Sequence, residues 1–483
     1  MTTTLSPVQP SRWWHYWLGF AVVLAVGVWL IAGSQALLFV DTNDFQRVVG
    51  HLQLRSLGDG LRWALPEGPT RNPGNPELAS HIFTLLAWVQ RFLPGHVFDL
   101  ARSALVAKCL LLAYAWILGW QCARALQRGA IWCTAIALAW LAVFFMAHTI
   151  GMAQSFYAEY AFLLGFPLLL IGVLAERPKV RLWCLGLAAL VCGLAKVQYF
   201  YVPLLLAVCI WAASHWQRLA PEKALIKLLL AVQVLCLVPV LIGKNAALNA
   251  YHGLYLGSYM VLTPEQFDGL GVSAEQRRCT GVDAWGAVLS GPGGTDVRDG
   301  DVSCFPVEPK LGKSDVLRPY LHYPQALLQL AQYALPHHFT VHYFHVFANN
   351  AYLKKLDDRA LPATDWLLGM TNLRERTITP TAPVFLVAAL LLFALSRRSA
   401  SSGLRRLAVG GLLLSLLVVS QVLIALLGEG VRDLSKHLWA AQLALDMLVL
   451  LCVLQALAWL SQAWSSRTGR ADFGAGGLAA KVR

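Results

Sequence analysis

Long apolar runs separated by short polar stretches dominate this chain. The first covers residues 15–40, and Trp13, Trp14 and Trp17 flank its start, as is typical of helices that enter a membrane interface. Most of the other runs approach the roughly 20 residues that a helix needs to cross a bilayer. We predict an all-α polytopic membrane protein of about ten transmembrane helices: residues 15–40, 103–123, 130–150, 156–175, 181–195, 197–216, 224–243, 380–396, 404–427 and 435–463.

Two long polar segments interrupt this pattern. Residues 41–102 are rich in turn-forming residues, and their apolar stretch at 82–93 is too short to span, so it predicts an interfacial or re-entrant helix. Residues 244–378 form the second segment. The predicted organisation is a cytoplasmic N-terminus (1–14), a first helix (15–40), a first external loop (41–102), a six-helix core (103–243), a long external segment (244–378), three C-terminal helices (379–463) and a cytoplasmic tail (464–483).

The composition supports a membrane protein and argues against one kind of partner, nucleic acid. The chain is 57% hydrophobic and 13% charged, which excludes an ordinary soluble domain. Its net charge is +13, and the lysines and arginines lie in short patches between apolar runs. These patches do not form a basic stripe with interleaved aromatic residues, so we expect no nucleic-acid partner.

The basic patches also predict the orientation. If the N-terminus is cytoplasmic, every short loop rich in lysine or arginine falls on the cytoplasmic side, as the positive-inside rule requires. We therefore predict a multi-pass protein of a bacterial inner (plasma) membrane with both termini cytoplasmic. Residues 32–34 would also suit signal-peptide cleavage, but the long apolar run and the weakly basic start favour a retained helix.

The ten cysteines fall into two groups. Eight lie in or beside apolar runs, where cysteine behaves as a small hydrophobic residue. Cys279 and Cys304 are the two in the long polar segment. If that segment is external, a disulfide between them is one of two open alternatives, the other being two free thiols.

Polar residues collect at the predicted external ends of the helices. Ionisable side chains near such ends are functional candidates, and they are usually paired with one another. The candidates are Asp41, Asp44 and Arg47 after the first helix; Tyr157 and Glu159 between helices three and four; Lys196, Gln198 and Tyr199 between helices five and six; and Arg432, Lys436 and His437 between the last two.

Each candidate also has a structural explanation. Asp41 and Asp44 suit a helix cap, and Glu159 with Lys196 suits a structural ion pair. Lys196, Arg432 and Lys436 could extend to lipid headgroups. Asp446 lies inside the last predicted helix, and we expect it to pair with a neighbour.

Four histidines in the late polar segment present a further alternative. They are His337, His338, His342 and His345. Three of them share one face if the segment is helical, which can bind a metal. An aromatic interfacial helix explains the stretch equally well, because no carboxylate follows at ligand spacing. We therefore assign no metal site here.

Four short motifs resemble a known pattern. They are Asp41-Thr42-Asn43-Asp44-Phe45-x-Arg47, Ser155-Phe156-Tyr157-x-Glu159, Lys196-x-Gln198-Tyr199 and Asp433-x-x-Lys436-His437. Together with the retained first helix and the two external segments, they resemble the GT-C class of integral membrane glycosyltransferases. More narrowly, they are similar to motifs of bacterial polytopic proteins regarded as glycan-building hexose transferases. The late external segment matches no pattern of that class.

The resemblance implies a GT-C-like fold and a site on the external, periplasmic face. Sugar would pass from a polyprenyl-phosphate-linked donor to a glycan, lipid or protein acceptor. A carboxylate of the first loop would act as the base, a role that falls to Asp44, with Asp41 as the second candidate and Glu159 nearby. The D-x-x-D spacing departs from the closer acidic pairs of that class, which leaves open which aspartate is the base. No cofactor is certain, and dependence on divalent Mg or Mn stays open.

The residue chemistry is compatible with this function. A carboxylate can take the proton of an acceptor hydroxyl, and cations can stabilise the leaving phosphate. Arg432 and Lys436 are the preferred phosphate ligands because they sit together at a helix end; Arg47, Lys196 and His437 are the other cations. Gln198, Tyr157 and Tyr199 would contact the sugar or the lipid.

Two other functions compete with this one. A transporter or flippase of a lipid-linked glycan would need a polar path through the bilayer, whereas the charges here cluster at one face. An O-antigen-type polymerase or ligase would rely on arginine and histidine of a late loop. First-loop aspartates favour the glycosyltransferase.

Overall fold

The computed structural model describes residues 13–39, 45–58, 61–66, 77–217, 222–242, 246–284, 288, 304, 311–341, 353–399 and 401–467. These residues form a helical bundle. Its first ten helices are α1 Trp13–Gly33, α2 Gln46–Leu52, α3 Leu78–Gln90, α4 Leu100–Ala125, α5 Ala130–Phe144, α6 Ala147–Ala153, α7 Glu159–Leu174, α8 Pro178–Ala195, α9 Val202–Trp216 and α10 Lys223–Ile242.

Ten further helices follow in the second half of the described chain. They are α11 Ala246–Tyr255, α12 Pro264–Leu270, α13 Ala274–Arg278, α14 Lys313–His322, α15 Gln325–His338, α16 Pro362–Thr377, α17 Ala382–Ser396, α18 Ser402–Glu429, α19 Leu434–His437 and α20 Trp439–Arg467. The strands are short: β1 Leu37–Phe39, β2 Arg55–Ser56, β3 Arg62–Ala64, β4 Val97–Asp99 and β5 Leu353–Lys355.

Within the described residues, 7 helices are long and apolar enough to cross a membrane, or up to 9 if two bent helix pairs each count as one span. The bent pairs are α5 with α6 and α16 with α17. Each of the ten predicted helices has a helical counterpart, but the counterpart at residues 156–175, α7, has only 16 residues. The protein is thus a multi-pass membrane protein, and the count of ten spans stays a prediction.

Local sequence explains where several helices begin and end. The side chain of Asp99 accepts a hydrogen bond from the Ala101 backbone N–H at 2.8 Å, capping α4. Ser401 caps α18 in the same way, through the Leu404 N–H. Pro178 occupies the first turn of α8, where its missing N–H costs no intrahelical bond.

The first helix is shorter than predicted. It ends at Gly33 rather than at residue 40, and a turn of 3₁₀ helix at Ser34–Ala36 leads into β1. That strand pairs antiparallel with β5, Leu38 lying opposite Lys354. The apolar run continues through β1 because this strand is buried, so hydrophobicity alone could not reveal the change from helix to strand.

The predicted helix at residues 130–150 is broken. α5 ends at Phe144, and α6 turns away from it by 65°. The backbone N–H of Ala147, at the start of α6, donates to the Thr371 hydroxyl of α16 at 2.8 Å. A side chain distant in sequence therefore satisfies one of the donors that a helix start leaves open.

The described part of the first loop contains short helices and strands. β2, β3 and β4 form an antiparallel sheet in that order. The predicted interfacial helix at residues 82–93 corresponds to α3, which begins and ends a few residues earlier and has 13 residues. It is too short to span a bilayer.

The late polar segment builds a second hydrophobic core. Buried side chains of α11, α14 and α15 pack with Leu426, Val431, Leu434 and Leu438 around the end of α18. The backbone N–H of Val431 donates to the Leu256 carbonyl at 2.8 Å, which fastens the segment to this end of the bundle. The two Cα atoms of Cys279 and Cys304 are 5.6 Å apart, and their sulfurs form the disulfide considered from the sequence.

A buried histidine makes this second core sensitive to acid. His252 of α11 accepts a hydrogen bond from the Ala284 N–H at 3.1 Å, and burial lowers its pKa from 6.5 to about 4. At pH values between these two pKa values, His252 therefore binds a proton more readily in the unfolded chain than in the folded protein. We expect this side chain to lower the free energy of unfolding by about 2 kcal/mol between pH 7 and pH 5.

Thermal unfolding of the purified protein at several pH values measures this effect. The variant His252→Gln keeps a hydrogen-bond acceptor but does not titrate, so its stability should fall less steeply below pH 6.5. Identical pH profiles for the two proteins would show that His252 does not carry the effect.

Candidate functional site

Three of the four predicted clusters meet at one end of the bundle. α7 begins with Glu159, α8 ends at Ala195 just before Lys196, and α18 ends at Glu429, just before the chain turns through α19 into α20. Neighbouring helices that run in opposite directions bring these helix ends together. Just beyond the other end of α7, Glu176 is bonded to Arg124 of α4 at 2.7 Å.

Glu159 and Lys196 form the centre of the site. The Lys196 Nζ donates to Glu159 Oε1 at 2.9 Å, although Glu159 is only 1% exposed and Lys196 7%. The carboxylate stands at the N-terminus of α7 and the ammonium at the C-terminus of α8, so both helix dipoles favour the charges present. A buried pair with these partners can stay ionised.

His437 connects this pair to the end of α18. Its Nδ1 lies 2.9 Å from Gln198 Oε1 and 3.4 Å from Lys196 Nζ, and its Nε2 lies 2.9 Å from Glu429 Oε2. The Gln421 side chain donates to the His437 carbonyl at 2.8 Å. The imidazole is thus held from both sides, and residues from three of the predicted motifs share one buried network.

Arg432 and Lys436 extend the network towards the second core. Lys436 Nζ lies 3.3 Å from Asp433 Oδ2 and 5.7 Å from the centroid of the Tyr157 ring, over its face. Arg432 Nη1 lies 2.8 Å from Asp283 Oδ2, and its Nε lies 3.9 Å from Asp433. Both cations of the predicted phosphate site therefore face carboxylates.

The cations of this site are matched by acids. Lys196, His437, Arg432 and Lys436 face Glu159, Glu429, Asp283 and Asp433, respectively. An incoming phosphate would compete with Asp283 and Asp433 for Arg432 and Lys436, the two cations that the sequence favoured as phosphate ligands. The carboxylates do fix the positions of the cations, which is the preorganisation that stabilises developing charge.

The turn that carries Arg432 is conformationally unusual. Gly430 has φ 61° and Asp433 has φ 46°, both in the left-handed region that non-glycine residues seldom adopt. A Cβ at Gly430 would lie 2.1 Å from the Leu256 carbonyl oxygen. Glycine is therefore required at position 430, and Asp433 is kept in its strained conformation by the surrounding contacts.

We expect Gly430→Ala to destabilise the protein by at least about 2 kcal/mol, because the new methyl group adds a clash to the cost of the left-handed backbone. Gly428→Ala is the matched control, since nothing lies within 4 Å of a Cβ there. Thermal unfolding of both variants tests this prediction, and equal stabilities would contradict it.

The first loop reaches the same place through Phe45. This residue immediately follows Asp44, and its buried ring lies 5.4 Å from that of Phe156 and 5.0 Å from that of Tyr157. Asp41 and Asp44 themselves lie outside the described residues. Arg47 belongs to α2, but its side chain is also outside the description.

A small pocket opens beside the central ion pair. It has room for about one water molecule and is lined by Val48, Glu77, Ala79, Phe156, Ala158, Glu159 and Lys196. Glu77, which is 7% exposed, was not among the residues singled out from the sequence. It directly precedes α3, a position at which an acidic residue often caps a helix. Its side chain makes no capping hydrogen bond. Only the fold brings it close to Glu159.

Neither of the two candidate tyrosines, Tyr157 and Tyr199, lines the pocket, and the position of Tyr199 is the clearer of the two. It is fully buried, and its ring lies 4.3 Å from that of Phe162 in the core. It does not line the pocket, so a role in stacking on a sugar would require it to move. Its present contacts are those of a packing residue.

The described residues contain no cluster of three or more histidine, cysteine, aspartate or glutamate side chains able to hold a metal. Of the four histidines in the late segment, His337 and His338 end α15, while His342 and His345 lie outside the described residues.

A second buried polar network lies deeper in the bundle. Asp446 of α20 accepts a hydrogen bond from Arg374 Nε at 2.6 Å, and its other oxygen lies 3.3 Å from His148 Nε2. Arg374 also donates to Gln442 at 2.5 Å. The expected pairing of Asp446 is confirmed, and its partners come from α16 and α6, one helix of each bent pair.

Residues 305–474 match the family model described as the YfdI N-terminal transmembrane domain. Over 313 residues the chain is 24% identical to the uncharacterized protein YfdI of Escherichia coli (strain K12). The aligned region covers 64% of this chain and 65% of that protein. The chain thus aligns with just under two thirds of this relative's length. No solved structure matches significantly.

Proposed function

We propose that this protein is a membrane glycosyltransferase that moves a sugar from a polyprenyl-phosphate-linked donor to a glycan, lipid or protein acceptor on the external face of a bacterial inner membrane. The observation that carries the proposal is the Glu159–Lys196–His437–Glu429 network at one end of the bundle, in which the first three residues are buried. Phe45, the residue after Asp44, packs against Tyr157, which lies beside this network.

The chemistry of transfer has three requirements. The bond between the anomeric carbon and the donor phosphate breaks, a bond to the acceptor oxygen forms, and the acceptor proton goes to a base. Asp44 is the proposed base, with Asp41 as the alternative. The polyprenyl phosphate leaves with the bonding electron pair, and its negative charge needs a cation.

Lys196 is now the cation best supported for that role. It lies at the pocket, and it is oriented by two groups, Glu159 and His437. Arg432 and Lys436 form ion pairs with Asp283 and Asp433. They contribute to the local potential and to the placement of the turn.

Transfer of labelled sugar from polyprenyl-phosphate hexoses to membrane acceptors tests the base. Asp44→Asn should reduce transfer by roughly 10²-fold or more, the usual contribution of a general base, while leaving the thermal stability unchanged. Asp357→Asn, at a carboxylate that is 92% exposed, is the control and should be fully active. Full activity of Asp44→Asn would exclude its role as the base.

A second candidate, a transporter of a lipid-linked glycan, is favoured by one observation. The two bent helix pairs meet around the buried Arg374–Asp446–His148 network, and interrupted helices with ionisable residues at the break are typical of transporters. Movement of an intact lipid-linked glycan across vesicles, without sugar transfer, would support this candidate.

A further inference from the structure

A lysine lies inside the bundle without an acidic partner. Lys108 belongs to α4, one of the helices long and apolar enough to cross a membrane, and it is 0% exposed. In the part of the chain that the structure describes, no carboxylate lies within ion-pair distance of its ammonium. Ionisable residues in such helices are costly and are functional candidates. Neither the sequence motifs nor the proposed mechanism uses this one.

Two neutral acceptors from other elements hold the ammonium. Lys108 Nζ donates to Gln154 Oε1 at 2.7 Å and to the Ser34 carbonyl at 3.4 Å. Ser34 follows the last residue of α1, so the negative end of that helix also favours the ammonium. Gln154 donates in turn from Nε2 to the Gln35 carbonyl at 3.0 Å. Lys108 therefore ties α4 and the end of α1 to the turn between α6 and α7, which Gln154 begins.

The same helix, α4, holds the far end of this turn. Tyr160, in the first turn of α7, donates from its buried hydroxyl to the Ser103 carbonyl of α4 at 2.9 Å. Ser103 and Lys108 are separated by about 7.5 Å along the helix axis. Glu159 lies between the two points of attachment, directly before Tyr160. Its position therefore depends on how α4 holds the turn.

The position of Glu159 matters because this residue orients a cation. Its Oε1 accepts a hydrogen bond from Lys196 Nζ at 2.9 Å, and Lys196 is the cation proposed to stabilise the leaving phosphate. A misplacement of about 1 Å, even one caused by a change far from the reacting atoms, can slow a reaction on the order of 10²-fold. A shift of the turn would reach the reaction through this pair.

We propose that Lys108 is a positioning residue for sugar transfer: its ammonium fixes the turn before α7 and, through that turn, the Glu159–Lys196 pair. The inference rests on the proposed function and adds a residue that does not line the pocket beside the pair. Because Lys108 acts through the pair, its loss should slow transfer only in a protein in which the pair is intact.

Transfer of labelled sugar by two matched sets of proteins tests this dependence. Lys108→Met keeps much of the side-chain length and should lower transfer on the order of 10²-fold in the wild-type background. In the Lys196→Met with Glu159→Gln background it should cause no further loss, because residues that act as a unit are not additive. Lys179→Met, at an exposed position near the start of α8, is the control and should be fully active. An equal loss in both backgrounds would overturn the proposal, because independent effects add.

Hydrogen–deuterium exchange tests the attachment without relying on transfer. The backbone amides of residues 154–160 should exchange faster in Lys108→Met than in the wild type, while those of α20 should not change. Unchanged exchange in residues 154–160 would contradict the proposal even if the wild-type protein transfers sugar. If the wild-type protein transfers no sugar, the proposed function is wrong, and the role of Lys108 in transfer is wrong with it.

A second variant covers the case in which the single change prevents folding. Lys108→Met leaves the Gln154 side-chain oxygen without its donor, and a buried acceptor without a donor is costly. The double variant Lys108→Met with Gln154→Leu removes both partners, and it should show the same loss of transfer and the same faster exchange. Failure of both variants to fold would show that Lys108 is needed for folding, and would overturn its role as a positioning residue.

Discussion

Replacement of Lys196 by methionine is expected to reduce sugar transfer by roughly 10²–10³-fold, the usual effect of removing one group that stabilises developing negative charge. The side chain is the cation at the pocket, and Glu159 and His437 hold its ammonium at 2.9 and 3.4 Å. Methionine keeps much of its length and removes its charge. Transfer from polyprenyl-phosphate hexoses measures the loss.

Loss of Lys196 would also leave the Glu159 carboxylate buried without its partner, which destabilises proteins by about 3–5 kcal/mol. The double variant Lys196→Met with Glu159→Gln separates the two effects, because it removes the uncompensated charge. We expect it to recover stability but not transfer. Transfer that returns together with stability would show that the pair is structural.

Arg374→Met is expected to be the most destabilising single change outside this site, by about 3–5 kcal/mol. Arg374 and Asp446 are both buried, and Arg374 bonds Asp446 at 2.6 Å and Gln442 at 2.5 Å. Without the guanidinium, a carboxylate would remain in the membrane interior with His148 as its neighbour. Thermal unfolding in detergent measures the loss.

Two further variants identify the cause of that loss. Arg376→Met, two residues away at an exposed position, should unfold like the wild type. The double variant Arg374→Met with Asp446→Leu removes both charges, and should be more stable than Arg374→Met alone. Equal stability of the single and double variants would mean that the buried charge is not what destabilises the protein.

The sequence could predict what depends on local hydrophobicity and charge. Apolar runs located most of the helices within a few residues, and they identified α3 as too short to span. The grouping of Glu159, Lys196 and His437 was also predictable, because loop charge assigned their helix ends to one side. The pairing of Asp446 followed from the cost of an isolated charge in a membrane.

Features that depend on contacts distant in sequence were missed. The strand after the first helix needs β5, more than 300 residues away, to satisfy its backbone. The break between α5 and α6 is stabilised by a hydroxyl of α16. Glu77 was not singled out because nothing local shows that it lines a pocket with Glu159 and Lys196. Asp283, which faces Arg432, lies about 150 residues earlier in the chain and was not singled out for the same reason.

The most direct test of the central claim measures transfer of labelled sugar by the purified wild-type protein. The vesicles contain polyprenyl-phosphate hexoses and membrane acceptors, and the double variant Lys196→Met with Glu159→Gln is the comparison. The account predicts labelled acceptor with the wild type and at least 100-fold less with the stable double variant. Movement of an intact lipid-linked glycan by the wild type, with no labelled acceptor, would contradict it.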